Sequence, residues 1–496
     1  TVTNEYGFYS ITLEKGTYTV TFSSLGHKTI TKEIVLDQNL KLNFDLVEDV
    51  NTMDEIVVTS TKANRAVKST EMSVSTIKAE TIKKLPTGMG EVDILKSIQL
   101  LPGVSSVSEG SGGFNVRGGS SDQNLVLLDE ATIYNASHLL GFFSVFNADA
   151  IKDVKLYKGG IPSLYGGRLS SVLDIRQREG NLKEFKGELG IGLISSRALL
   201  QGPINKGDNE EGKGSYLIAG RRSYIDVFAP LSEDLEDTKL YFYDMNLKMN
   251  YNLNDTNHLY LSGYLGKDRF AIEDVFGNTY GNTSATLRWT SQLSNRLFFQ
   301  TSAIYSDYDY EVELLTSGSE FSWKSSILNY NLKPRLRWYV SPGNTLTSGV
   351  DFTYYNFNPG EIAPINNSST TAEKFQEKFA IETAPYLDFE TKISDKLSLH
   401  YGLRWSNFQR IGKENIATYA NGTPLTYNST LDLFDENEAI GETSYESGDV
   451  IESFNNLEPR ASLRYLLNKT TSLKASYNRN YQYLHLISNT TSATPL

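Results

Sequence analysis

The side chains in this chain that could do chemistry are its histidines, carboxylates and hydroxyls, because it contains no cysteine. The five histidines, His27, His138, His258, His400 and His485, are scattered, without an HExxH motif or another paired-ligand spacing. GxSxG and P-loop motifs are also absent, and no carboxylate pair of this acidic chain is distinguished by its neighbours. We therefore expect no enzyme activity, no cofactor and no metal site.

Charge and hydropathy restrict the classes of partner. The net charge at pH 7 is −12, so we expect no nucleic-acid partner, and Arg117-Gly118-Gly119 is not interpreted as an RNA-binding repeat. Mean hydropathy is −0.35, and no run approaches the roughly 20 apolar residues of a membrane-spanning helix. A transmembrane β-barrel is compatible with this composition, because its strands alternate between apolar and polar residues.

The elements that must position any site are clearest between Gly110 and Ile175. Short apolar runs at Asn124–Leu128, Val154–Tyr157 and Ser171–Ile175 alternate there with glycine-rich turns. This pattern predicts a small mixed sheet with close backbone approaches. Before it, Gly90–Leu101 carries apolar residues at helical spacing and is followed by Pro-Gly, which predicts a short helix.

Residues 181–496 contain long runs in which apolar and polar side chains alternate. In one run Leu397, Leu399, Tyr401, Leu403 and Trp405 alternate with Ser398, His400, Gly402, Arg404 and Ser406. A soluble β-sandwich alternates too, but it seldom carries charges on the second face of so many strands. A lipid-facing exterior and a wet interior account for both features. Tight turns such as Asn252–Asn257 and long connections such as Arg410–Asn455 also fit an outer-membrane barrel.

Phrases in the glycine-rich stretch resemble the plug domain of TonB-dependent outer-membrane transporters. They are NVRGG at Asn115–Gly119, LVLLDE at Leu125–Glu130, and LYKGGIPSLYGG with SSVLDI within Leu156–Ile175. Near the start, GFYSITLEKGTYTVTFSSLGHKT resembles the carboxypeptidase regulatory-like domain that precedes many such plugs. The resemblance implies an all-β dominated fold, in which a large antiparallel transmembrane β-barrel, truncated here, holds an inserted α+β plug domain. A partial Ig-like β-sandwich precedes the plug.

The resemblance divides the chain into four parts. Residues 1–50 would be the partial β-sandwich, 51–62 the TonB-box segment, 63–180 the plug domain and 181–496 the N-terminal part of the barrel. We count about 12 barrel strands, against about 22 in plugged transporters. We therefore expect the rest of the barrel to lie beyond Leu496, and the first strands of the sandwich to precede Thr1.

Two segments are predicted to take part in coupling. The first is a short β-prone run between polar stretches, which suits strand addition by a partner and resembles the TonB box. An ordinary strand remains an alternative. The run consists of Asp54, Glu55, Ile56, Val57, Val58 and Thr59. The resemblance also implies that Arg117, with Gly118 and Gly119, locks the plug against acidic groups of the barrel wall. Backbone carbonyl partners for Arg117 remain an alternative.

The resemblance further implies a solute site at the apex of the plug. Its candidates are Glu109, Ser120, Ser121, Asp122, Tyr134, Asn135 and His138, each of which is equally compatible with a plain loop. The implied function is active import of a scarce solute, such as an iron chelate, cobalamin, an oligosaccharide or a peptide. TonB, with its inner-membrane motor, would remodel the plug by pulling on residues 54–59.

The implied location is the bacterial outer membrane, in contact with its lipid and with the N-terminal part in the periplasm. One alternative is a barrel that serves adhesion or signal sensing without import. The other is a secreted β-rich enzyme, for which no catalytic constellation is visible in the sequence.

Overall fold

The architecture is known from a computed structural model that describes most of the chain. The described residues are 13–22, 29–38, 69–84, 91–107, 113–207, 211–228, 238–316, 318–366 and 368–485, with the single residues 3, 9, 11, 40, 42, 44 and 67. Near the start, strands β1 (Gly16–Phe22) and β2 (Ile30–Leu36) form an antiparallel pair in which Gly16 lies opposite Leu36. The pair forms a separate sheet from those of the plug and barrel.

The described residues of the plug include short strands and two α-helices. The helices are α1 (Ala79–Ile82) and α2 (Ile94–Gln99). The strands are β3 (Val74–Lys78), β4 (Val104–Ser106), β5 (Phe114–Val116), β6 (Asn124–Leu128), β7 (Ala131–Thr132), β8 (Ser137–His138), β9 (Phe143–Ser144), β10 (Ile151–Tyr157) and β11 (Ser171–Gln177). One sheet has the order β3-β10-β11-β6-β7, with β11 and β6 parallel and the other pairs antiparallel. The predicted small mixed sheet is confirmed.

Helix α2 shows how sequence and packing agree inside the plug. Its N-cap residue Asp93 accepts a hydrogen bond from the backbone N–H of Lys96 at 2.9 Å, which satisfies one of the free donors of the first turn. Ile94 and Ile98 are fully buried in the largest apolar cluster, together with residues of β10 and β11. Except for Tyr264, all buried members of this cluster belong to the plug, so the plug has a core of its own.

The barrel consists of one antiparallel sheet. Helix α3 (Ile225–Phe228) lies between its third and fourth strands. The strands are β12 (Lys186–Ile191), β13 (Ser195–Ile204), β14 (Gly214–Ser223), β15 (Thr238–Asn254), β16 (Asn257–Ile272), β17 (Phe276–Ser294), β18 (Leu297–Leu314), β19 (Phe321–Ser341), β20 (Asn344–Pro364), β21 (Glu373–Lys374), β22 (Lys378–Lys392), β23 (Leu397–Ile411), β28 (Val450–Leu466) and β29 (Ser472–Asn478). Each pairs with its neighbour in this order, except that β21 is a short side branch on β20.

The connections between barrel strands are short at one end and longer at the other. Strands β15 and β16 are joined across Asn254 and Asn257, and β19 and β20 across Ser341 and Asn344. The longest connection, between Ile411 and Val450, contains four strands of its own: β24 (Glu414–Tyr419), β25 (Leu425–Asn428), β26 (Leu433–Glu436) and β27 (Ala439–Tyr445). They form two hairpin-like pairs, where the sequence had suggested only a long polar loop.

The barrel wall is apolar outside and polar inside. Met245, Leu287 and Leu403 expose 47%, 51% and 44% of their surface. Their inward neighbours Asn246 and Arg404 expose 1% each. A continuous exposed apolar face with a buried polar face is the arrangement that lipid outside and a polar lumen require. The predicted alternation is therefore confirmed.

The plug–barrel interface as a candidate functional site

Part of the predicted site lies outside the described residues. This applies to the whole proposed coupling segment, residues 54–59, and to the solute-site candidate Glu109. Both stay predictions from the sequence.

The predicted lock around Arg117 has partners within the plug. The guanidinium of Arg117 donates a hydrogen bond to the hydroxyl of Ser73 at 2.6 Å, and its backbone N–H donates to the carbonyl of Gly103. Arg117 is exposed, and it has a positive φ of 51°, followed by Gly118 at 82° and then Gly119. In the described part of the barrel no carboxylate pairs with Arg117. The predicted lock of Arg117 against an acidic group of the wall therefore stays a prediction.

The plug contacts the barrel wall instead through the two-residue turn Asp129-Glu130, which joins β6 to β7. Both residues have positive φ, 47° and 75°, as the tight turn requires. Asp129 accepts hydrogen bonds through Oδ2 from Nζ of Lys248 at 2.8 Å and from the hydroxyl of Ser262 at 2.7 Å. Backbone strain of this kind in residues other than glycine persists only when the surrounding contacts stabilise it. The turn thus places two carboxylates of the plug against the barrel wall.

Glu130 lies among cationic side chains of the wall. Its Oε1 accepts a hydrogen bond from Nε2 of Gln300 at 2.9 Å and lies 3.5 Å from Arg288 and 3.9 Å from Arg335. Burial alone would raise the pKa of Glu130, but the nearby Arg288 and Arg335 outweigh it and lower this pKa to about 2. The pKa of Asp129 is also lowered, since Lys248 and Arg288 outweigh its burial. Both carboxylates are therefore ionised at neutral pH.

His138 forms a second contact between plug and wall. Its Nδ1 lies 2.6 Å from Oδ2 of Asp268 and its Nε2 lies 3.3 Å from Oδ2 of Asp244, while its ring stacks on Phe242. Asp244 also pairs with Arg221 at 2.7 Å. Burial would lower the pKa of His138, but the two carboxylates outweigh this effect and raise it.

Only 1% of the surface of His138 is exposed. His138 thus contacts the wall in this structure, and its part in a solute site stays a prediction.

The other solute-site candidates fall into two places. Tyr134 donates a hydrogen bond from its hydroxyl to Asn329 at 2.8 Å, and the carbonyl of Asn135 accepts one from Asn282 at 2.7 Å, so both contact the wall. Asp122 contacts Gln482 at 3.3 Å and accepts a hydrogen bond from the hydroxyl of Ser120. Ser121 opens the short 3-10 turn that contains Asp122. The predicted residues therefore do not form one cluster.

The plug loop after β10 makes a third contact with the wall. The guanidinium of Arg460 donates hydrogen bonds to the carbonyls of Pro162 and Tyr165, and it pairs with Glu458 at 2.7 Å. Asp388 accepts a hydrogen bond from the backbone N–H of Ser163 at 3.0 Å. A Cβ atom at Gly166 would overlap the guanidinium of Arg404, so glycine permits the close approach here.

The wall residues of these contacts were not predicted as site residues. Lys248, Arg288 and Arg460 are ordinary inward-facing positions of alternating strands, and the sequence gives no indication of which plug residue each one meets. The available signal was the presence of charges on the polar face of the alternation. That signal indicates a polar lumen, but it does not identify the partners.

The described part of the chain holds neither a candidate metal cluster nor a helix that could cross a membrane. No group of three or more histidine, aspartate or glutamate side chains is placed there to hold a metal ion. No helix among these residues has the length and apolar character needed to cross a membrane.

Three family models match the chain. The model described as the TonB-dependent receptor plug domain matches residues 66–171, and the CarboxypepD_reg-like domain matches residues 1–58. The model described as the TonB dependent receptor-like β-barrel matches residues 223–493, which is more than half of the 496 residues. A search of curated proteins found no match.

Solved structures with the same fold are similar to this chain at low sequence identity. The copper transporter OprC has a TM-score of 0.59 and 10% identity, with 82% of this chain and 64% of that chain covered. The alcaligin outer-membrane receptor FauA from Bordetella pertussis has a TM-score of 0.56 and 15% identity, with 84% of this chain and 64% of that chain covered. The ferric-catecholate import receptor Fiu from E. coli has a TM-score of 0.59 and 13% identity, with 84% of this chain and 70% of that chain covered. The chain thus spans less than two thirds of the length of the first two.

Proposed function

Since this chain belongs to the TonB-dependent receptor family, we propose that it actively imports a scarce solute across the outer membrane. Members of the family are outer-membrane β-barrels that act as receptors and transporters rather than as enzymes. In the proposed mechanism, solute binding above the plug releases residues 54–59 into the periplasm. TonB then pairs with this segment by strand addition and remodels the plug.

The observation that carries the proposal is the chemistry of the plug–wall interface. The plug keeps its largest apolar cluster to itself, with Tyr264 the single buried member from the wall. Its contacts to the wall include ionic and hydrogen-bonded groups, as at Asp129, His138 and Pro162. Two smaller apolar clusters also join plug and wall, one through Ala150 and Leu199 and the other through Phe143 and Phe242. Water can replace the polar contacts when the plug moves, so apolar surface is exposed only at the two small shared clusters and the main core of the plug stays intact. The plug is therefore suited to move and return.

The solute is the least determined part of the proposal. The names of three neighbours with the same fold mention copper, alcaligin and ferric catecholate. Metal ions and metal chelates are accordingly the first solutes to test, ahead of cobalamin, oligosaccharides and peptides. The three neighbours share at most 15% of their residues with this chain, so their names set only the order in which solutes are tested.

The proposal is tested by interrupting strand addition. Val57→Pro removes a backbone N–H and restricts φ, whereas Val57→Ala keeps the backbone donor. We expect the Pro variant to bind solute at the cell surface but to lose uptake, as a deletion of residues 54–59 does, and the Ala variant to import normally. Uptake of labelled solute and growth on it are the measurements. Unchanged uptake after the deletion would exclude TonB-dependent import and leave adhesion or sensing.

A further inference from the structure

A charged cavity of about 60 Å³ lies between the Asp129-Glu130 turn and the barrel wall. It is large enough to hold several water molecules, and its lining comes from β6, β11 and the loop before β11 on the plug side and from β17 to β22 on the wall side. The cavity marks a place where the plug does not fill the lumen.

The two sides of this cavity carry opposite charge. The plug contributes three acids and one base, a net charge of 1 − 3 = −2; they are Asp129, Glu130, Asp174 and Arg176. The wall contributes three bases and one acid, a net charge of 3 − 1 = +2; they are Arg288, Lys333, Arg335 and Asp351. With the plug in place the two charges cancel. When the plug moves away, the wall retains its excess of two positive charges.

Glu130 lies near these bases without a close contact to either guanidinium, and Arg335 also donates a hydrogen bond to Oε1 of Gln300 at 2.6 Å. Its Oε1 lies 3.5 Å from Arg288 and 3.9 Å from Arg335, beyond the roughly 2.7–2.9 Å of a charge-assisted hydrogen bond. Lys333 lies 3.7 Å from Asp351, also on the wall. An anion with several oxygens could approach the two guanidinium groups more closely than a single carboxylate on a strained turn can.

We propose that Arg288, Lys333 and Arg335 form a binding site for an anionic group of the imported solute, which the Glu130 carboxylate occupies while the plug is in place. The proposal rests on the proposed import function and adds the charge class of the solute. Carboxylate or phosphate groups fit best, because arginine binds such oxygens in pairs. Charged walls of low dielectric constant also concentrate counter-ions, so the site would attract the solute as the plug withdraws.

The site can be tested without any transport measurement. Glu130→Gln keeps the shape of the side chain but removes its charge, which leaves the cavity with one uncompensated positive charge. Crystals of the full chain soaked in sodium bromide should show anomalous density beside Arg288 and Arg335 in this variant. Wild type should show none there, and the matched plug variant Asp153→Asn, which is not on the cavity, should behave as wild type. The double variant Glu130→Gln/Arg335→Gln should lose the bromide.

Solution binding provides the second measurement. We expect the Glu130→Gln variant to bind bromide or inorganic phosphate about tenfold more tightly than wild type. A tenfold change in Kd corresponds to about 1.4 kcal/mol of binding free energy, which is the size expected for one additional charge interaction. If Glu130→Gln does not fold, Asp174→Asn replaces it, because it raises the net charge of the cavity by the same amount. The proposal is wrong if the folded variant binds no anion there, or if Arg335→Gln leaves the binding unchanged.

These outcomes are independent of the proposed function. A chain that fails the Val57→Pro test could still hold bromide in the Glu130→Gln crystals, and a chain that imports solute through TonB could lack the anion site. Failure of the anion-site experiment would therefore remove only the charge class of the solute.

Discussion

At the scale of single residues, the contact between plug and wall depends on buried ion pairs, and substituting one partner while the other stays buried lowers stability. Lys248 and Asp129 expose only 4% and 3% of their side chains, whereas Lys267 and Asp309 form a similar pair at the same 2.8 Å with 38% and 42% exposed. Removing one partner of a buried pair leaves an uncompensated charge, but an exposed charge is solvated by water.

We therefore predict that Lys248→Met weakens the attachment of the plug by about 3–5 kcal/mol, and that Lys267→Met changes it by less than about 1 kcal/mol. The urea midpoint of plug release measures the difference, with a fluorophore on Lys152→Cys in a chain that otherwise has no cysteine. Equal midpoints for the two variants would contradict the assignment of Lys248 as a main contact.

The pH dependence of plug attachment follows from two plug residues. The pKa of His138 is raised above its ordinary 6.5, so its stabilising contribution is complete below that value and is lost as pH rises through the folded-state pKa. The pKa of Glu130 is lowered from 4.5 to about 2, so its contribution is complete above 4.5 and is lost as pH falls towards 2.

We predict the firmest attachment between about pH 4.5 and 6.5. The same urea midpoint, measured across pH, should fall on both sides of this window. His138→Gln should remove the decline on the alkaline side only, and Glu130→Gln should reduce the decline on the acid side only. A decline on the acid side that survives Glu130→Gln would point to Asp129, whose pKa is also lowered.

At the scale of elements, the plug loop around Gly166 approaches the wall so closely that a side chain is excluded. Arg404 exposes 1% of its surface and is held 3.5 Å from Asp351 and 3.7 Å from Glu382, so it has little freedom to move aside. We predict that Gly166→Ala destabilises plug docking by about 1–3 kcal/mol. Gly441, where an added Cβ meets nothing within 4 Å, is the matched control. Unchanged plug release in Gly166→Ala would show that the loop can shift.

The elements were more predictable than their contacts. The apolar run Asn124–Leu128 and the glycine-rich turns indicated the plug sheet, because strand period and turn chemistry are local properties. The pair Lys248–Asp129 joins residues 119 positions apart, and it depends on how the whole plug sits in the lumen. The contacts of Arg117 with Ser73 of the plug and of His138 with Asp268 of the wall also join residues far apart in the sequence, so a local pattern could not predict them.

At the scale of the whole molecule, the apolar outer face and the polar inner face of the barrel determine where a charged side chain can be introduced. Leu403 lies on the outer face of β23 with 44% of its surface exposed, and Leu431 lies outside the main sheet with 62% exposed. We predict that Leu403→Arg reduces folding into lipid vesicles by about 2–4 kcal/mol, because the charge must enter the hydrocarbon layer, and that Leu431→Arg has little effect. Equal folding yields would contradict a lipid-facing surface at Leu403.

The overall architecture was largely predictable because it follows from alternation along each strand. Leu403 outside and Arg404 inside could be assigned from the period of two alone. The small strands between Ile411 and Val450 could not, because their polar composition carries no such period. The long-range order within the lumen depends on the packing of two separately patterned bodies, which a local pattern does not encode.

The position of β3 at the edge of the plug sheet has a mechanical consequence. Among the described residues, Val74–Lys78 pairs only with β10, through an antiparallel register that runs from Val74 opposite Tyr157 to Lys78 opposite Asp153, and it is the first plug strand described after residues 51–62. Tension applied from the amino-terminal side therefore reaches this strand before any interior one. If tension separates β3 from β10 starting at Val74, the hydrogen bonds between the two strands break one after another. The maximum force then stays near that needed to break a single hydrogen bond, and the work is done over a longer distance.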